Sequence, residues 1–263
     1  MIIWLASYPK SGNTYLRAIL STYFFSKNGE FSFELLKGIQ KFPKIEHFKS
    51  LNINCNDELD IFKNYIKAQK DINKKEKQII FLKTHSSFCN IGDYTFSDLK
   101  NTLGGIYIVR DPRNIVLSMA NYFSISNEIA SKKILNQNFD LVDEQNKNFK
   151  NYLGTWSFHL NSWKRLNDRL LIIKYEDLIS KPDIEIIKIF KFISNITNTK
   201  MNIDHNKLSK SIASTQFENL KNLEKKSSFF ENNSPKKNNF FNKGIRTNFK
   251  TDQELNLRKE IEK

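Results

Sequence analysis

The chain has 263 residues, enough for one α/β domain or two small ones, and its 39% of hydrophobic residues and 22 Phe can supply a sizeable core. Only eight Gly and five Pro are present, which excludes a fibrous or linker-rich chain. The formal net charge of +14 has two interpretations, an anionic partner or a lysine-rich surface, because the lysines are spread along the chain.

The two cysteines, Cys55 and Cys89, show neither metal-ligand spacing nor a disulfide framework. Reduced thiols are usual inside cells, so a cytoplasmic protein is predicted. Pro9 and Lys10 interrupt the first apolar run, which does not match a secretory leader. No apolar stretch approaches the length of a membrane span, and the His, Cys and carboxylate residues show no ligand spacing, so neither a span nor a metal is expected.

Strand-like and helix-like segments alternate along the chain. Continuous apolar runs predict strands at 2–7, 78–83, 104–110 and 169–178, the last ending near Tyr175. Helical periodicity predicts helices at 14–25, 112–122, about 146–167 and 183–195. Such runs suit a sheet covered on both faces. We therefore predict a single α/β domain, 1–263, of three layers (α/β/α), in which a mostly parallel sheet lies between two layers of helices. Past residue 200 the pattern weakens, and 225–243 is predicted to be a long loop.

The turn between the first strand and the first helix is built like an anion site. Backbone N–H groups and the helix dipole converge there. Lys10 adds a charge, Ser11 and Thr14 add hydroxyl donors, and Gly12 permits positive φ or a close backbone approach. These residues predict a phosphate site, and the alternative is an ordinary turn with a capping Ser or Asn.

The same turn differs from the nucleotide P-loop, G-x-x-x-x-G-K-[ST]. It has one Gly instead of two, and Lys10 precedes Gly12. The parts are P-loop-like but their order is not, which argues against ordinary ATP or GTP hydrolysis. A phosphotransferase similar to P-loop nucleotide kinases stays open as an alternative.

A second candidate anion site follows the third strand. Asp111 and Pro112 are typical of a helix start, as N-cap and first helical residue. Arg110 therefore ends a buried strand, where α/β proteins bind ligands, and Ser118 lies two turns into the next helix. Arg suits a phosphate, although it could instead pair with an acid. Together the two turns predict two anionic subsites at one edge of a P-loop-NTPase-like sheet.

These segments resemble those of sulfotransferases that use 3′-phosphoadenosine 5′-phosphosulfate, and they occur in the same order along the chain as in that family. The matching stretches are YPKSGNTYLR (8–17), FLKTHSSF (81–88), YIVRDPRNIVLS (107–118), IIKYEDL (172–178) and, in degenerate form, FFNKGIRTNFK (240–250). In the last stretch Asn242 stands where the family has Arg, while Lys243 and Gly244 match. The dimerisation motif of vertebrate members does not follow, so their dimer is not predicted.

The resemblance implies a role for each matched residue. The expected contacts to the donor come from Lys10, Ser11, Gly12, Asn13, Thr14 and Tyr15 at the 5′-phosphosulfate, Arg110 and Ser118 at the 3′-phosphate, Tyr15 and Tyr175 at the adenine, and Asn242, Lys243 and Gly244 in the closing segment. His85 is the expected general base, and Lys10 and Lys83 are expected to assist at the reacting centre. An ordinary structural His and ordinary aromatic packing are the alternatives for His85 and for the two tyrosines.

The implied reaction moves a sulfuryl group to a hydroxyl or amine of a small-molecule or carbohydrate acceptor and leaves adenosine 3′,5′-bisphosphate (PAP), without a metal. The segments expected to shape the acceptor pocket, 28–76, 123–150 and 225–241, carry no recognisable signature. A basic nucleic-acid-binding module is a second alternative, but only 225–243 resembles the clustered basic residues with interleaved aromatic residues that it needs, so nucleic acid is not expected. A catalytically weak homologue is a third, because of Asn242.

Overall fold

A computed structural model describes residues 1–76, 78–142, 147–227, 229–231 and 240–241. The strands are β1 (Ile2–Ser7), β2 (Gln40–Lys41), β3 (Ile80–Thr84), β4 (Asn90–Ile91), β5 (Tyr94–Thr95), β6 (Thr102–Val109), β7 (Asp140–Val142), β8 (Lys150–Tyr152) and β9 (Leu170–Lys174). The α-helices are α1 (Asn13–Phe25), α2 (Glu58–Lys63), α3 (Tyr65–Glu76), α4 (Pro112–Phe123), α5 (Asn127–Ile134), α6 (Trp156–Trp163), α7 (Tyr175–Ser180), α8 (Pro182–Thr197), α9 (His205–Ser214) and α10 (Phe217–Lys226).

Within the described residues, the central sheet has five parallel strands in the order β2–β3–β1–β6–β9. Helices cover both of its faces, which confirms the predicted three-layer α/β fold. The two short antiparallel pairs, β4–β5 and β7–β8, lie outside this sheet.

Strand β1 shows why the apolar runs are continuous. Ile3 and Leu5 belong to a core that includes residues of α1 and α8. Trp4 and Ala6 belong to a second core on the opposite face, which includes Trp163 of α6. Because neighbouring strand residues point to opposite faces and both faces are covered, every position of β1 is apolar or small.

The predicted helix at 146–167 is wrong in its first half. Residues 150–152 form β8, paired antiparallel with β7. Gly154 then adopts a φ of 65°, and the Thr155 side chain accepts a hydrogen bond from the Phe158 amide at 3.1 Å. A left-handed residue followed by an N-cap is a helix start, so α6 begins only at Trp156.

In the part of the chain that the structure describes, two helices lie past residue 200, where no helix was predicted. Asp204 caps α9 by accepting a hydrogen bond from the Lys207 amide. Leu208 of α9 and Leu220 of α10 are buried in the first core, while most of their neighbours are polar and exposed. So few apolar positions give a weak periodic signal. None of the helices in the described ranges is long and apolar enough to cross a membrane.

Candidate active site

A cleft of about 1030 Å³ opens at the carboxyl ends of the central strands. Because β1 lies between β3 and β6, the residues that follow these three strands meet at one edge of the sheet. The predicted site residues that line the cleft are Lys10, Gly12, Asn13, Thr14, Tyr15, Lys83, His85, Arg110, Ser118 and Tyr175. The structure therefore brings both predicted anion sites and the predicted base into one cavity.

The turn after β1 has a conformation that depends on Gly12, whose φ is 95°. A Cβ atom at this position would lie 2.2 Å from Cδ2 of Tyr175, so the tyrosine ring rests directly on the glycine backbone. The side-chain Nδ2 of Asn13 donates hydrogen bonds to the Leu5 carbonyl (2.9 Å) and to Ser7 Oγ (3.3 Å). Glycine is needed here both for the backbone conformation and for the close contact.

The polar groups of this turn fit the predicted anion site. Gly12 is the N-cap of α1 and supplies no side chain, so no side chain caps the first helical N–H groups. Ser11 is 1% exposed, and its Oγ has no hydrogen-bond partner among the described residues. A buried hydroxyl and a helix N-terminus that lacks a side-chain cap fit a bound phosphate.

Lys10 lies between two aromatic rings. Its Nζ is 4.0 Å from the ring centroid of Tyr122 and 4.1 Å from that of Phe240. The Glu224 carboxylate accepts hydrogen bonds from the amides of Phe240 and Phe241, at 2.7 and 3.0 Å. Burial, followed by the nearby Arg110 and Lys83 charges, lowers the pKa of Lys10 to about 7. An anion in the cleft would restore the charge of this lysine.

Arg110 lies against the first anion site. Its Nη1 donates a 2.7 Å hydrogen bond to the Lys10 carbonyl, and its guanidinium carbon is 4.4 Å from the Tyr175 ring centroid. Burial lowers the pKa of this guanidinium below its usual value. Asp111 accepts a hydrogen bond from the Arg113 amide as the N-cap of α4, as predicted. The two predicted subsites are therefore adjacent and directly connected.

The hydrogen bonds of His85 define its tautomer. Nδ1 lies 2.8 Å from the Ser7 carbonyl oxygen, which can only accept, so Nδ1 carries the hydrogen and Nε2 of the neutral ring keeps its lone pair. Burial, followed by the Lys83 charge, holds the pKa of His85 well below its usual value. His85 is thus neutral at pH 7, and its Nε2 can accept a proton.

A second histidine holds the backbone of the first. His159 Nε2 donates a 2.8 Å hydrogen bond to the His85 carbonyl, and the Tyr107 hydroxyl donates one to His159 Nδ1 at 2.8 Å. Burial lowers the pKa of His159 to about 4, so it stays neutral. The position of His85 is thereby tied to α6 and to β6.

Lys83 belongs to an ion-pair cluster that was not predicted from the sequence. Its Nζ is 3.5 Å from the Glu231 carboxylate, which also accepts hydrogen bonds from the buried Arg17. Burial lowers the pKa of Lys83 to about 8, and Glu231 opposes that shift. Arg17 could have been found from the sequence, because it lies one helical turn after Thr14. Nothing near Glu231 in the sequence indicates that it pairs with Arg17 and Lys83.

Asn242, Lys243 and Gly244 lie outside the described residues. Ser11 is buried in the turn without lining the cleft, and every other predicted site residue lines it. The described residues contain no group of three or more His, Cys, Asp or Glu side chains that could hold a metal ion.

The family model described as "Sulfotransferase domain" matches residues 2–263. No curated protein matches the chain in a sequence comparison. Among solved structures, the mouse sulfotransferase SULT7A1 complexed with PAP is 19% identical, with a TM-score of 0.58 over 98% of this chain and 82% of that one. Retinol dehydratase in complex with androsterone and the inactive cofactor PAP is 16% identical, with a TM-score of 0.58 over 99% and 79%. These likenesses show a shared fold.

Proposed function

Because the chain belongs to the sulfotransferase domain family, we propose that it transfers a sulfuryl group from 3′-phosphoadenosine 5′-phosphosulfate to a hydroxyl or amine of a small-molecule or carbohydrate acceptor. The supporting observation is that one cleft contains both a phosphate-type turn and a neutral histidine with the Nε2 lone pair of a base. Two free cysteines, Cys55 and Cys89, suit the reducing cytoplasm as the place of action.

His85 acts on the acceptor. As the acceptor oxygen or nitrogen forms its bond to sulfur, its proton passes to Nε2 of His85. The bond that breaks joins sulfur to the bridging oxygen of the 5′-phosphate, and PAP leaves with that oxygen. A base that is neutral at pH 7 and fixed in one tautomer supplies general-base catalysis without a metal.

The turn after β1 stabilises the charge that grows on the leaving phosphate. Lys10, the Ser11 hydroxyl and the first N–H groups of α1 are the donors available there, as in other group transfers whose catalysis depends on positioned positive charge. Arg110 and Ser118 bind the 3′-phosphate in this proposal, and Tyr15 and Tyr175 pack beside the adenine. All of these except Ser11 line the cleft.

A thermal-shift comparison distinguishes this proposal from the kinase-like and nucleic-acid-binding alternatives. PAP should stabilise the protein more than ATP with Mg²⁺ at equal concentration, because the ligand that binds the folded state more tightly stabilises it more. Greater stabilisation by ATP with Mg²⁺ would favour the kinase. A salt-sensitive shift with oligonucleotides that PAP leaves unchanged would favour the nucleic-acid module.

An acceptor library with a sulfate-labelled donor then tests the transfer itself. Retinol and androsterone, each present in a structure of retinol dehydratase, belong in the library beside phenols, amines and sugars. Labelled product from at least one acceptor is expected, and labelled product from none would contradict the proposed activity.

PAP binding is expected to take up a proton near pH 8. The pKa of Lys10 is about 7 in the structure, and a bound phosphate would raise it. Above pH 7 the protein must therefore gain a proton to bind, so affinity should fall by up to about tenfold per pH unit from pH 7 to 9. Titration calorimetry in buffers of different ionisation enthalpy measures the uptake. In Lys10→Arg, the arginine is always charged, so the proton uptake that Lys10 contributes on PAP binding should vanish. Equal proton uptake by the wild-type protein and by Lys10→Arg would contradict the linkage.

A further inference from the structure

Arg17 is the fixed part of the cluster around Lys83. Its Nη2 donates hydrogen bonds to the Leu36 and Ile39 carbonyls, at 3.0 and 2.8 Å, and the residue is 1% exposed. Its Nη1 lies 2.9 Å from each carboxylate oxygen of Glu231. A buried guanidinium held by backbone carbonyls is a rigid anchor, so the carboxylate that it binds is held in place.

Lys83 is surrounded mainly by positive charge. Arg17 approaches from α1, Lys41 is its register partner on β2, and Lys10 lies on the turn after β1. His85, two positions further along the chain, is neutral. Of the charged groups that act on Lys83, Glu231 is the negative one. Burial and the neighbouring cations favour the uncharged amine, and the Glu231 carboxylate favours the ammonium.

Lys83 and His85 both line the cleft, and residues two apart at the end of a strand share a side of the sheet. We propose that Glu231 is a positioning residue, anchored by Arg17, that keeps Lys83 a charged ammonium and holds it at the reacting centre. This inference rests on the proposed function and adds a role to it: Lys83 stabilises the negative oxygens of the sulfuryl group in transfer and gives up no proton itself.

The test is the titration of Lys83 in Glu231→Gln, which keeps the size of the side chain and removes its charge. The Cε resonance of Lys83 is followed by NMR and assigned by its absence in Lys83→Arg. We expect the titration midpoint to fall by about one pH unit. Glu34→Gln is the matched control, because Glu34 pairs with Lys37 at the surface. In this variant the titration midpoint of Lys83 should stay at the wild-type value.

Turnover supplies the second measurement. In Glu231→Gln the alkaline limb of kcat should move to lower pH by the same amount as the midpoint, while PAP affinity stays within about twofold. In the Lys83→Arg background, Glu231→Gln should leave the alkaline limb where it is. If Glu231→Gln does not fold, Glu231→Asp, which keeps the charge and withdraws it by one methylene group, should give a smaller fall in the same direction.

An unchanged Lys83 midpoint in Glu231→Gln would overturn the inference, even in a wild-type enzyme that transfers sulfuryl groups. Failure of the wild-type protein to bind PAP would instead contradict the proposed function, and the titration would still report whether Glu231 controls the charge of Lys83. The two failures are therefore distinguishable.

Discussion

The variant His85→Ala is expected to lose roughly 10²- to 10⁴-fold in kcat, which is the usual contribution of a positioned general base. PAP affinity should stay within severalfold of wild type, because His85 faces the acceptor in the proposed mechanism and makes its hydrogen bond to Ser7. The measurements are steady-state turnover with the best acceptor and calorimetry with PAP.

His205→Ala is the matched control for this substitution. His205 begins α9 and is exposed, so its loss should leave turnover unchanged. The acid limb of the wild-type profile should lie at low pH, because burial and Lys83 hold the pKa of His85 well below its usual value. Full activity of His85→Ala would remove His85 from the mechanism.

The second large effect is expected for Lys10→Met. Loss of one preorganised donor to a developing negative charge typically costs roughly 10²- to 10³-fold in rate. The charge on the leaving phosphate grows during transfer, so kcat should fall more than PAP affinity does. Methionine is long and apolar enough to remain between the rings of Tyr122 and Phe240, so the fold should be retained.

Two further variants serve as controls for Lys10→Met. Lys10→Arg, which keeps the charge, should recover part of the lost rate, whereas Lys191→Met, on the exposed face of α8, should behave as wild type. A Lys10→Met enzyme with weakened PAP binding and an unchanged kcat would assign Lys10 to ground-state binding only.

Local chemistry explains what could be predicted from the sequence. The turn at Lys10 to Thr14 and the helix start at Asp111 consist of neighbouring residues whose types serve one local structure, and each stands after a buried apolar strand. A parallel sheet brings the ends of such strands together. The sheet, its two covered faces and the edge that carries the site were therefore predictable.

The remaining features depend on contacts between distant residues. Glu231 binds Arg17 across most of the chain, and Phe240 covers Lys10 because the Glu224 carboxylate holds its amide. No periodic pattern encodes such pairs. The error at 146–167 has a local cause, since the polar and apolar residues there also suit a helix, whereas residues 150–152 pair with β7 and Gly154 separates them from α6.

The central place of β1 in the sheet has a consequence for synthesis. Its partners are β3 and β6, so one of its edges stays unpaired until residues 80–84 have left the ribosome, and the other until residues 102–109 have done so. Until then the nascent chain exposes Ile-Ile-Trp-Leu-Ala, an apolar segment with unpaired edges that can aggregate or bind a chaperone. Chains that end before residue 109 should therefore be insoluble, so a split or shortened version of this domain must keep the first 109 residues on one piece.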